Sequence, residues 1–177
     1  MVIIINGPCG VGKSTTSEIL SGMLDRCVYI NCDEVHNMVI GAPIDSLHIG
    51  LTDKNISSLV RNFAESGYDN IIIDNVYETE SHLKRVLDDL KKNEIEIYVF
   101  RLTCDLFENI KRDGQRCEED VCGENRVIEL YKIFEDAGES VGHVIDVTFK
   151  SAREVALEII TCVKNSLINF KASIHTQ

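Results

Sequence analysis

The sequence predicts an α/β domain: a five-stranded parallel sheet with helices on both faces, in three layers. Three observations carry that prediction. Apolar runs alternate with amphipathic stretches along almost the whole chain. Two of the runs, residues 2–5 and 71–73, are continuously apolar, the mark of a parallel strand buried on both faces. Finally, "GPCGVGKS" at residues 7–14 satisfies G-x-x-x-x-G-K-[ST] and stands between an apolar run and a helical pattern, the context that motif requires.

The elements follow in order. Met1–Ile5 is strand one. The motif comes next, and then a helix over Thr15–Leu24, with Ile19, Leu20, Met23 and Leu24 at helical spacing. Gly7, Gly10 and Gly12 free the backbone to turn its N–H groups toward an anion. The helix N-terminus adds a favourable dipole. The expected phosphate-binding set is therefore Gly7, Pro8, Cys9, Gly10, Val11, Gly12, Lys13, Ser14 and Thr15. Lys13 reaches the terminal phosphates and the Ser14 hydroxyl is a ligand for Mg²⁺. Cys9 is a small filler inside the loop.

Val28–Cys32 is strand two. Asp53–Glu65 is a helix through Ile56, Leu59, Val60 and Phe63, stopped by Gly67. Ile71–Ile73, closing on Asp74, is strand three. Ser81–Leu90 is a helix, and Glu94–Leu102 is strand four. Helices over Asp105–Arg112 and Glu124–Glu135 flank a polar stretch. Val144–Phe149 is strand five and Ser151–Val163 the last helix. Residues 166–177 are expected to fray.

Composition narrows the function. A chain of 177 residues suits one domain, residues 1–177, with a full core. A formal net charge of −11 argues against nucleic-acid binding, which calls for a basic footprint. Seven cysteines, with no C-x-x-C pair, fit a reducing cytoplasm better than a disulfide framework. The apolar start is too short for a signal peptide or a membrane span, so no membrane partner is expected.

Ligands of parallel α/β sheets bind beyond the carboxyl ends of the strands. That rule selects the loop, Asp33, Asp74 and the segment after Thr103. Asp33 directly follows strand two, where a carboxylate can orient an acceptor hydroxyl and take its proton; its other reading is a helix N-cap. His36, three residues on, either shares that face as a substrate contact or lies on the surface. Asp74 is placed to hold Mg²⁺ through water, with a cap or an acceptor contact as rival roles. Residues 111–126 hold four basic and five acidic residues, so they form no basic patch. Arg112 and Arg116, set singly among carboxylates, suit a lid over about 113–125 hinged at Gly114 and Gly123, where guanidinium groups stabilise transition-state charge. A solvated, salt-bridged helix accounts for them equally well. Arg61 either pairs with Glu65 one turn on or meets a substrate anion.

Together the GPCGVGKST stretch, Asp33 at a strand end, Asp74 after strand three and R-x-x-x-R at Arg112 and Arg116 resemble the small P-loop kinases. These include shikimate kinase, gluconate kinase, chloramphenicol phosphotransferase and the adenylate kinase group. The resemblance spans Val2 to about Val163. It implies the strand order 2-3-1-4-5, with Asp74 beside the loop and a lid between strands four and five. It also implies that Asp33 contacts the acceptor hydroxyl as the base, that Arg112 and Arg116 are lid arginines, and that residues 148–151 border the adenine. Asp33, His36, Asn37, Gly41, Pro43 and Asp45 are most similar to the gluconate kinase pattern. The tract with Trp found downstream in that enzyme is missing, and the chain has no Trp. The glycine-rich signature of shikimate kinase is replaced by "IIIDNVYET".

The resulting expectation is an ATP- and Mg²⁺-dependent phosphotransferase. It would move the γ-phosphoryl group to a hydroxyl of a small molecule, such as a sugar acid, another metabolite or an antibiotic-like alcohol. It would act as a monomer or homodimer. A nucleoside or nucleotide kinase is one alternative, although basic residues are few between Asp33 and Arg61. A nucleotide-binding regulatory ATPase without an acceptor is another. A GTPase-like switch lacks its N-K-x-D signature.

Overall fold

The computed structural model describes residues 1–41, 43, 45–91, 95–118 and 120–165. The expected fraying of 166–177 and the expected start of strand four at Glu94 lie outside the described residues.

Five strands form one parallel sheet: β1 Val2–Asn6, β2 Cys27–Asn31, β3 Asn70–Asp74, β4 Ile97–Thr103 and β5 His143–Asp146. Their order is β2-β3-β1-β4-β5. β1 is central and buried along its whole length, which explains its unbroken apolar run. Its side chains alternate between two cores. Val2 and Ile4 meet Ile56, Val60, Leu83 and Leu87 on one face, while Ile3 and Ile5 meet Leu20, Val155 and Ile159 on the other. The helices are α1 Lys13–Ser21, α2 Cys32–Asn37, α3 Ser46–Glu65, α4 Glu80–Lys91, α5 Leu106–Asp113, α6 Glu124–Ala137 and α7 Ala152–Lys164. α3 and α4 cover the first face, and α1 and α7 the second.

The register places the site. Ile5 is opposite Asp74, and Asn31 is opposite Asp74 from the other side. The ends of β1, β2 and β3 thus converge on one carboxylate. Asn6 fixes the chain just beyond it. Its Nδ2 donates to the carbonyls of Tyr77 and Val141 at 3.1 and 3.0 Å, and its Oδ1 accepts from the Tyr77 N–H at 2.8 Å.

Several boundaries differ from the sequence expectation. α2 was not expected, because six residues are too few to show a helical period. Its N-cap is Asn31, whose Oδ1 accepts from the N–H groups of Asp33 and Glu34, so Asp33 is not the cap. α3 starts at Ser46 rather than Asp53, with Asp45 as its cap. Its first two turns expose Leu47 and Leu51, so they carry no inward apolar stripe to betray a helix. α1 begins at Lys13 and stops at Ser21, ahead of Leu24. β5 ends at Asp146, whose carboxylate accepts from the N–H and Oγ1 of Thr148 and turns the chain out of the sheet. Phe149, expected inside strand five, is 98% exposed.

Candidate functional site

The loop between β1 and α1 is held by close backbone packing. A Cβ on Gly7, at φ +139°, would lie 2.5 Å from the Leu102 carbonyl oxygen. At Gly10 a Cβ would meet the Asn109 carbonyl at 3.0 Å and the Asp113 Cβ at 3.1 Å. Asn109 Nδ2 donates to the Cys9 carbonyl at 3.0 Å, so α5 braces the loop from behind. Gly12, at φ +95°, has open space beside it at the start of α1. Pro8 and Val11 are buried, so their contribution to a phosphate site is through the backbone. Lys13 Nζ donates to the Pro8 carbonyl at 3.0 Å and is folded over the loop. Thr15 is exposed on the first turn of α1.

Beside the loop stands a four-residue hydrogen-bonded chain. Ser14 Oγ donates to Asp74 Oδ2 at 2.7 Å, and Tyr29 Oη donates to the same oxygen at 3.1 Å. Asn31 Nδ2 in turn donates to Tyr29 Oη at 3.3 Å. Asp74 is buried, and loss of solvent raises its pKa despite the Ser14 and Tyr29 donors and nearby Lys13. Burial, and then the Asp74 charge, push the Tyr29 phenol up as well. A carboxylate that burial destabilises as an anion, next to a hydroxyl at a helix N-terminus, fits a divalent cation held by Ser14 and Asp74. Sequence reasoning found Ser14 and Asp74 and missed Tyr29 and Asn31.

A cavity of about 630 Å³ opens from the loop toward β2 and β3. Cys9 of the loop, Asp33, His36, Thr52, Asp53 and His82 are among its walls, together with Arg85 and Arg126. Asp33 and His36 are one turn apart on α2 and share this wall, as the sequence suggested. His36 Nδ1 is 3.2 Å from Thr52 Oγ1, whose own proton goes to the His48 carbonyl. Thr52 must therefore accept, Nδ1 of His36 carries the proton, and the buried Nε2 has no partner among the described residues. His82 Nε2 lies 3.0 Å from Asp53 Oδ2, and its ring meets Tyr77 edge-on. Arg126 pairs with Glu78 and Glu129. Asp53 and His82 carry no local signal as cavity residues, because they come from different helices and belong to no local motif. Arg61 is exposed and is not in this cavity's wall, so the structure does not bring it together with Asp33 and His36.

The two arginines after β4 are tied down. Arg112 Nε donates to Glu108 Oε1 at 2.9 Å, and its Nη2 donates to the carbonyls of Val147 and Thr148 at 3.2 Å. It therefore joins α5 to the segment after β5. Arg116 Nη1 lies 3.7 Å from Asp113 Oδ1. Asp113, 2% exposed, accepts from the N–H groups of Cys122 and Gly123 at 3.2 and 2.9 Å and so anchors these two residues. A larger groove, about 860 Å³, lies beyond β4 and β5. It includes no residue of the loop, and its carboxylates Asp105, Glu108, Glu135 and Asp146 would repel a phosphate chain.

The strand order, the glycine loop and the Ser14–Asp74 contact define a P-loop nucleotide-binding protein with the fold of the small kinases. The chain matches a family model described as an AAA domain over residues 3–132 and belongs to that family. No curated protein matches it by sequence. Among solved structures it is similar to the tunicamycin resistance protein of Deinococcus radiodurans, at 21% identity and a TM-score of 0.69, covering 92% of this chain and 94% of that one. A gluconokinase from Sinorhizobium meliloti has 15% identity and a TM-score of 0.70 over 98% and 97% of the two chains. A shikimate kinase from Acinetobacter baumannii has 18% identity and a TM-score of 0.66 over 93% of each. At these identities the likeness is one of fold. Among the described residues, no helix is long and apolar enough to cross a membrane.

Proposed function

We propose that the protein is an ATP-dependent phosphotransferase acting on a hydroxyl of a small molecule. One observation carries this reading: a single cavity has both Cys9 of the phosphate loop and Asp33 in its wall. A hydroxyl held at Asp33 would therefore face the loop. Bound MgATP would supply the phosphoryl group and the cation.

Each role falls to a particular part of the chain. The loop backbone from Gly7 to Thr15 holds the phosphates, and Lys13 leaves the Pro8 carbonyl to reach them. Ser14 is the direct ligand of Mg²⁺, and Asp74 holds it through water. Asp33 orients the acceptor hydroxyl and accepts its proton. Arg112 and Arg116 exchange their present carboxylate partners for the transferring group as residues 113–125 close. His36 Nε2, an acceptor without a partner among the described residues, takes a second hydroxyl of the substrate. Catalysis is then mainly positioning and electrostatics.

Asp33→Asn is expected to lower transfer by roughly 10²- to 10⁴-fold while leaving ATP affinity intact. Full transfer by that variant would refute the role. The acceptor class is tested by a phosphotransfer screen of sugars, sugar acids, nucleosides, nucleoside monophosphates and phenicol- or aminoglycoside-type alcohols, each against ATP alone. The monophosphates are included because Arg85 brings a cation to the cavity wall, which makes a nucleotide kinase the second reading. Turnover of ATP with no acceptor in the screen phosphorylated would instead support a regulatory ATPase.

A further inference from the structure

Cys9 and Cys122 are distant in sequence and adjacent in space. Both line the cavity that holds Asp33, and they are close enough for the Cys9 thiol to act on the Cys122 thiol. Their backbones are fixed independently of that contact. Asn109 Nδ2 holds the Cys9 carbonyl at 3.0 Å, and Asp113 Oδ1 holds the Cys122 N–H at 3.2 Å. Both anchors lie on α5, one turn apart, and Asp113 also abuts Gly10, the residue after Cys9. Both cysteines are free and partly exposed, so a small reagent entering the cavity meets them together.

We propose that Cys9 and Cys122 form a thiol–disulfide exchange site, oxidised by a low-molecular-weight disulfide, that ties the phosphate loop to the segment between α5 and α6. The order of attack follows from the surroundings. Burial, and then the Cys9 thiol, push Cys122 up to about 12, so Cys122 stays protonated at neutral pH. Cys9 therefore attacks first. Its sulfur bonds to one sulfur of the reagent, the reagent's S–S bond breaks and one small thiol leaves. The Cys122 sulfur then attacks Cys9 Sγ and gives up its proton to solvent, and the second small thiol leaves. Two protein thiols are oxidised and one disulfide is reduced to two thiols. The new bond holds the sulfurs about 2 Å apart. Arg116 Nη1, 3.9 Å from Cys122 Sγ, is on the segment that becomes fixed. The linked loop can then neither open its amides fully to a phosphate chain nor receive the arginines over it.

The test uses the full chain and glutathione disulfide as the oxidant. Peptide mapping after alkylation should show Cys9 joined to Cys122, with Cys27, Cys32, Cys104, Cys117 and Cys162 alkylated. The linked protein should bind MgATP at least tenfold more weakly by calorimetry and recover with dithiothreitol. Cys122→Ser should stall with one glutathione on Cys9, and Cys117→Ser should link as the wild type does. The proposal is overturned if both thiols stay alkylatable, if Cys9 links to Cys117 instead, or if the linked protein binds MgATP unchanged. The peptide map and the binding curve need no acceptor, so they stand apart from the phosphotransferase reading.

Discussion

Asn6→Ala should cost more stability than any apparent surface of the site suggests. The side chain is fully buried and makes three hydrogen bonds, to the Tyr77 N–H, the Tyr77 carbonyl and the Val141 carbonyl. Tyr77 and Val141 are themselves 0% exposed, so water cannot replace the missing partner without opening the fold. Each bond is worth about 1–1.5 kcal/mol net, and the orphaned N–H carries a further desolvation cost. The total is roughly 3–5 kcal/mol. At about 2–4 °C per kcal/mol for a chain of this size, Tm should fall by roughly 6–20 °C. The urea midpoint should move in proportion with the slope unchanged, since the surface exposed on unfolding is the same. Asn6→Asp is the sharper control. It keeps an acceptor for the Tyr77 N–H but sets a carboxylate oxygen against two carbonyls, so its loss should equal or exceed that of the alanine. If both variants unfold within about 1 kcal/mol of the wild type, the three bonds do not hold the segment after Asp74 and the reasoning fails.

Two further predictions concern the cation site. Ser14→Ala removes the 2.7 Å donor to Asp74 and the proposed direct metal ligand together, so the Mg²⁺ concentration for half-maximal ATP binding should rise at least ~10-fold; an unchanged Mg²⁺ dependence would remove Ser14 from the site. For Asp74 the sign of the pH effect is set by burial, which raises its folded pKa above the unfolded value near ~3.9. The unfolded chain thus holds fewer protons on this group between those two values, and the stability the neutral carboxyl contributes is full below ~4 and is lost as pH rises through the folded value. Asp74→Asn keeps an acceptor for Ser14 and Tyr29 without the charge. Without Mg²⁺ it should be more stable than the wild type at pH 7, with the difference closing toward pH 4 in urea melts, while MgATP binding weakens. Lower stability of the variant at pH 7 would refute the assignment.

How far the sequence was legible depends on how local each signal is. The loop and the strands β1 and β3 were readable because glycine conformation, burial on both faces and the motif all act within a few residues. Ser14 and Asp74 followed from the same signals once strand order put β3 beside β1. α2 was hidden by its length, and the start of α3 by the exposed Leu47 and Leu51, which break the inward stripe. Arg112 stood out in the sequence as a lid arginine, but its ties to Glu108 and the Val147 and Thr148 carbonyls depend on where β5 ends. The cavity was the least legible part. Asp53, His82, Arg85 and Arg126 come from α3, α4 and α6, and only tertiary packing gathers them around Asp33.

That gathering sets the charge around the acceptor. Counting cations between Asp33 and Arg61 weighs against a charged acceptor, yet the cavity draws its cations from α4 and α6. They are not equivalent. Arg126 is paired with Glu78 and Glu129, and His82 Nε2 lies against the Asp53 carboxylate, so an anionic substrate would have to displace a carboxylate to use either. Arg85 has no ion-pair partner among the described residues and is exposed beside His82 at the cavity's edge. One unpaired guanidinium suits a single carboxylate or phosphate in bidentate contact. It falls short of the several cations that a nucleotide kinase clamps around an acceptor phosphate. The charge arrangement therefore favours a small alcohol with at most one anionic group over a nucleoside monophosphate. Comparing sugar acids with their neutral sugars in the screen reads that difference directly.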